Sequence, residues 1–227
     1  SLDDCVNFYK TYYAPNNATV VVVGDIDEQA TLELIVQHYG GIAAQDIPKS
    51  VLPVEPPQTE QRLLRFRKPV LTDKLLIGYK APAPLRLEVL GELVVGGAGS
   101  PTSRDVVVGK EVCSSLGGSV TPFRDPGLWE IAASLHRGHG ADEGLALLDE
   151  HIARVVAEGP TVEQVDRARA RMLTSFYMSL KTAHGRASSL GESQTTLGDY
   201  RELWRVPQIL RSITVADLHG VSQRYLS

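Results

Sequence analysis

Apolar positions along this chain recur either at helical spacing or in short unbroken runs, and the alternation of the two outlines the elements. Behind Ser1, a candidate N-cap, Asp3 and Asp4 occupy a first turn while Val6, Tyr9 and Tyr13 fall on one side of a helix. Asn16 and Asn17 make a turn, and the run "ATVVVVGD" predicts a strand buried on both faces, because β-branched residues occupy both sides of the pleat. Asp27 then caps a helix whose apolar stripe is Leu32, Ile35, Val36 and Tyr39, and Gly40 and Gly41 stop it.

Residues 43–60, "AAQDIPKSVLPVEPPQTE", carry four prolines and no period, which predicts an extended connection. "QRLLRFRKPV" and "KLLIGYKAP" predict two strands, with Arg62, Arg65, Arg67 and Lys68 on the solvated edge of the first. Helical spacing returns from Leu85 to Val95, breaks at "GGAGSPTSR", and resumes near Asp105 to Ser115. A hairpin is expected next, Ser119–Phe123 and Leu128–Leu135 joined by Asp125-Pro126-Gly127. The rest is helical: one stripe holds Leu145, Leu148, Ile152 and Val155 and ends at Gly159; Thr161 and Gln164 form a capping box for a second, with Val165, Ala168, Met172, Phe176 and Leu180. Thr214 and Asp217 open a last helix. This order predicts an α+β fold, a mostly antiparallel sheet with helices on one face, as a single domain over 1–227.

Composition narrows the function classes. Of the 227 residues 43% are apolar and 22% charged, as in a folded water-soluble unit, and a net charge of -4 offers no basic field for nucleic acid. No apolar run reaches the roughly 18 to 20 residues of a membrane helix, and no signal-peptide order opens the chain, so the compartment is unreadable. Cys5 and Cys113 lack any metal or disulfide spacing and are expected to be buried or idle thiols.

Site chemistry is sparse. A phosphate loop would need glycines after the first strand, where "GDIDEQA" supplies one glycine and three acids; "GGAGSPTS" lacks the third glycine and follows a helix. Among the six histidines only His136 and His139 are close, and they read as a solvent-exposed pair. Neither H-E-x-x-H nor H-x-x-E-H occurs, and "GESQT" is not a nucleophile elbow.

Taken in order, "FYKTYYAPNNATVVVVGDID", "SVTPFRDPGLWEIAASL", "EGPTVEQVDRARARMLTSF", "GRASSLGESQTTLGDY" and "ITVADLHGVSQRYL" resemble landmarks of the second domain in insulinase and pitrilysin-family zinc peptidases, which include the mitochondrial processing peptidase. The resemblance implies a non-catalytic domain without catalytic or metal residues of its own, inactive alone. Zinc and its motif are expected in a first domain outside this chain. It implies partners: that catalytic domain, a second half on the same chain or a partner subunit, and an unfolded peptide held in the chamber between the halves. It also implies that bare amides at Gly96, Gly97, Gly99 and Ser100 anchor peptide by strand-like pairing. Family halves that grip substrate carry Arg-x6-Tyr before the hairpin; Glu111 and Gly118 stand at those positions here. Two alternatives remain: a domain of a catalytically silent partner or core subunit acting as scaffold, and, more distantly, a nucleotide-binding α/β enzyme.

Overall fold

A computed structural model of the chain describes residues 1–48, 56, 58–81, 85–120 and 127–226. Among these residues the sheet has three antiparallel strands, β1 (Lys74–Ala81), β2 (Cys113–Val120) and β3 (Gly127–Leu135), in the order β1-β3-β2. The register sets Ile77 beside Ile131 and Tyr79 beside Trp129 on one side, and Gly118 and Val120 beside the same two residues on the other. Period-2 alternation along β3 sends Trp129, Ile131, Ala133 and Leu135 into the core, leaving Ala132 on the opposite, exposed face.

Among the described residues, helices cover only the first of these faces. Leu87, Leu90, Val94 and Val95 of α3 (Leu85–Val95) join Leu148 and Ile152 of α5 (Ala141–Glu158) in the core, and Val165 and Ala168 of α6 (Val162–Ser179) pack behind. Beyond α7 (Ala183–Leu197), Leu210 of α8 (Val206–Ser212) and Leu218 of α9 (Val215–Tyr225) complete the cluster. The α+β layer expected from the pattern is therefore present. Gly159 ends α5 with φ 72°, and the capping boxes Thr161/Gln164 and Thr214/Asp217 open α6 and α9 as their sequences indicate.

Several expectations need correction. "ATVVVVGD" runs extended but joins no ladder among the described residues, with Val20 57% and Val22 45% exposed rather than buried on both faces. "QRLLRFRKPV" is likewise no strand; Arg65 makes a bidentate ion pair with Asp142 instead of lining a sheet edge. The helices α1 (Leu2–Tyr12) and α2 (Glu28–Tyr39) form with their expected caps but bury no residue. Residues 105–115 do not form one α-helix. A short helix α4 (Pro101–Ser103) passes into a π-helical segment (Arg104–Gly109), and β2 begins at Cys113, six residues before the expected Ser119. Glu111, with φ 52°, makes the break between the two. Of the expected turn, Asp125 and Pro126 lie outside the described residues, as does Thr121–Phe123 of its first arm and residues 49–55 and 57 of the connection. Cys5 is exposed and Cys113 buried.

Candidate functional site

Helix α3 ends in the glycine-rich loop. Gly96 N–H still donates to Glu92 O at 2.9 Å, and Gly97 then turns left-handed at φ 63°. The turn closes where Ser100 N–H donates to Gly97 O at 3.2 Å and the Ser100 hydroxyl caps α4 by accepting from Ser103 N–H. Ser100 is buried and spent in that cap, whereas the N–H groups of Gly97 and Gly99 have no partner among the described residues.

The loop is latched from α6. Arg171 Nη1 donates to Gly96 O at 2.8 Å, its Nε lies 2.8 Å from Glu92 Oε1, and a Cβ on Gly97 would stand 2.5 Å from its Nη2. An arginine at a helix C-terminus satisfies an orphan carbonyl and complements the helix dipole. Two residues earlier, Arg169 does the same for α8, donating to the carbonyls of Arg211 and Ile213 at 3.0 Å each. The hollow between loop and α6, bounded by Leu93, Gly99, Pro101, Gln164 and Arg171, is shallow, half open to solvent and encloses only about 20 Å³. That is room for a water and far below a small-molecule site.

β2 lies beside this loop, since a Cβ on Gly118 would meet Val95 Cγ2 at 2.6 Å. Its outer edge pairs with no described strand, and it carries serines and glycines but no Lys or Pro to block addition of another strand. Gly118 is exposed, but a Cβ there would also stand 2.9 Å from Glu130 O, so a tyrosine would require Val95 and the strand to shift. The sequence departure from Arg-x6-Tyr is thus also a steric one.

One polar constellation escaped the sequence reading. His151 on α5 is 7% exposed, and its Nε2 is 2.9 Å from Asp105 Oδ2 in the π-helical segment; Lys110 Nζ is 2.8 Å from the same oxygen. Lys110 first, then His151, holds the Asp105 carboxyl below its ordinary range. The pair ties α5 to the segment before β2. His136 is exposed, and His139 Nδ1 meets Glu143 at 2.9 Å. Among the described residues no group of three or more His, Cys, Asp or Glu side chains could hold a metal ion, and no helix is long and apolar enough to cross a membrane.

These features coincide with a known domain class. The family model for the peptidase M16 inactive domain matches residues 1–172, and the chain belongs to that family. It is 24% identical to the zinc protease PqqE of Helicobacter pylori across 99% of this chain and 52% of that protein. It is 21% identical to the β subunit of the mitochondrial-processing peptidase of Lentinula edodes, across 99% and 52%. The chain thus spans about half the length of the curated relatives it matches. The crystal structure of a protease from H. pylori superposes over 100% of this chain and 57% of its own, with a TM-score of 0.85 and 21% identity. The inactive peptidase domain of a Bordetella parapertussis protein described as a zinc protease covers 69% of this chain and 88% of its own, with a TM-score of 0.60 and 19% identity. The chain is a non-catalytic M16 domain.

Proposed function

We propose that this domain walls the peptide chamber of a zinc peptidase and offers an extended peptide a place to pair. The observation that carries this is the one-sided covering of the sheet. Helices bury one face, while the other presents Leu76, 72% exposed, next to Ala132 and Gly117 of the neighbouring strands. Small residues along the middle of this face leave room for a chain of any sequence beside the connection, whose Pro56 carbonyl accepts from Lys80 Nζ at 3.2 Å, and the β2 edge, which pairs with no described strand, supplies main-chain groups that pair without regard to side chains. Gly97 and Gly99, in the loop after Val95, which packs beside Gly118 late in that strand, add amides with no partner among the described residues for the end of the peptide. The zinc and its activated water belong to an adjoining catalytic domain. In this reading the present chain contributes surface and orientation.

The test is reconstitution. The adjoining domain, produced separately with zinc, is assayed on an unfolded peptide with and without this chain. Addition of the chain is expected to raise kcat/KM by more than about tenfold, the effect of improved positioning; an unchanged rate in a mixture shown to be complexed contradicts the proposal.

A further inference from the structure

The open face of the sheet carries one group that the fold does not require. Read across from β2 to β1, its columns are Ser115, Ser134 and Lys74; Gly117, Ala132 and Leu76; and Ser119, Glu130 and Gly78. Glu130 thus stands on the central strand between a serine and a glycine. Its carboxylate has no hydrogen bond or ion pair among the described residues. Lys80, diagonal to it on the same face, sends Nζ to Pro56 O at 3.2 Å, and Lys74 lies at the far end of β1. Acidic side chains are depleted in strands because they add little to a pleated, half-buried surface. Nothing in the packing of this sheet accounts for one at its centre.

The neighbours decide from which side a partner can approach. Toward β1, a Cβ on Gly78 would meet Leu128 Cδ1 at 3.7 Å, so that leucine leans over the glycine. Toward β2, Ser119 is short and exposed. Neighbouring strands lie about 4.8 Å apart, which puts a chain added at the β2 edge about 10 Å from β3. Side chains alternate across the pleat, so one residue of such a chain faces the open side opposite Ser119, in line with Glu130. A lysine or arginine there lays its apolar stem over Ser119 and brings its charge to the carboxylate. Short side chains fall short of it, and an acidic one is repelled.

We infer that Glu130 selects the peptide and sets its register, by favouring a lysine or arginine at the position opposite Ser119. This inference rests on the reading above that an extended peptide pairs with the β2 edge. Main-chain bonds alone accept any sequence and let the register slide, because they read no side chain. One charge pair across Ser119 fixes it. Glu130 is half-buried and the pair stays open to water, so the preference amounts to about two- to fivefold in affinity and is screened by salt.

The test uses three peptides in a serine–alanine host, capped at both ends and differing at one central residue: lysine, leucine or glutamate. Each is titrated into the isotope-labelled 227-residue chain and followed by NMR. All three shift the amides of β2; the lysine peptide binds about two- to fivefold tighter than the leucine peptide, and the glutamate peptide binds weakest. Salt at about 1 M removes the difference. Glu130→Gln equalises the three at wild-type Tm, and Glu130→Lys reverses their order. Equal binding of the lysine and glutamate peptides, a preference that survives Glu130→Gln, or a Tm lowered by Glu130→Gln overturns the inference. In each of those cases the β2 shifts leave the pairing reading standing. Titrations in which no peptide shifts the β2 amides remove the pairing reading, and the inference falls with it.

Discussion

The indole of Trp129 lies against the bare Cα of Gly91, where a Cβ would stand 2.7 Å from Nε1. This contact brings α3 close to β3, and the Tyr79 ring closes the other side of the indole at 5.5 Å between centroids. Gly91→Ala is expected to cost about 1–3 kcal/mol by overpacking. Trp129→Ala should cost about 3–5 kcal/mol through cavity and lost burial. Urea denaturation measures both, and a neutral Gly91→Ala contradicts the close approach.

Glu88 sits on α3 with its carboxyl pushed above the ordinary range, first by burial and then by Glu192 on α7. A raised acid favours folding fully below its unfolded pKa, and that contribution is lost as pH rises through the folded value. Glu88→Gln removes the charge. Its Tm should exceed wild type at pH 8, with the advantage shrinking toward pH 4; a lower Tm at pH 8 contradicts this.

Asp105 behaves in the opposite sense, because Lys110 and His151 hold its carboxyl low. A depressed acid stabilises above its unfolded pKa, near 3.9, and loses that contribution as pH falls through the folded value. Asp105→Asn should lower stability at pH 7 and flatten its dependence on pH below about 4. Acid titration of Tm for the two proteins checks this, and parallel curves contradict it.

Within the glycine loop the two positions should separate. Gly97 is left-handed and faces Arg171, so Gly97→Ala should cost about 1–2 kcal/mol and weaken peptide binding by moving the loop. At Gly99 a Cβ would be 3.6 Å from Arg171 Nη1, an ordinary contact, and Gly99→Ala should stay within about 0.5 kcal/mol of wild type. Equal costs at both positions, by denaturation and peptide titration, contradict the latch.

What the sequence made legible depended on how local the cause was. Caps at Asp27, Thr161 and Thr214 and the stop at Gly159 are settled within a few residues, and they are where the pattern put them. The span of β3 was legible too, expected at Leu128–Leu135 and found at Gly127–Leu135. The start of β2 was not: "DVVVGKEVCSS" carries apolar residues that suit a helix, and Glu111 breaks it by a backbone angle that no residue type announces. The valine run illustrates another limit. Its composition suits a strand buried on both faces, while here it is partly exposed and no described residue pairs with it. In the candidate site, the glycine loop could be named from its motif, but Arg171 reaches it from 75 residues away and His151 reaches Asp105 across 46, distances that helical spacing cannot encode.

Metal content and peptide hydrolysis of the purified 227-residue chain alone test the central claim most directly. Elemental analysis after dialysis should find zinc far below one equivalent, and an unfolded peptide should remain uncut over hours. Stoichiometric zinc together with cleavage would contradict the assignment of this chain as the non-catalytic domain.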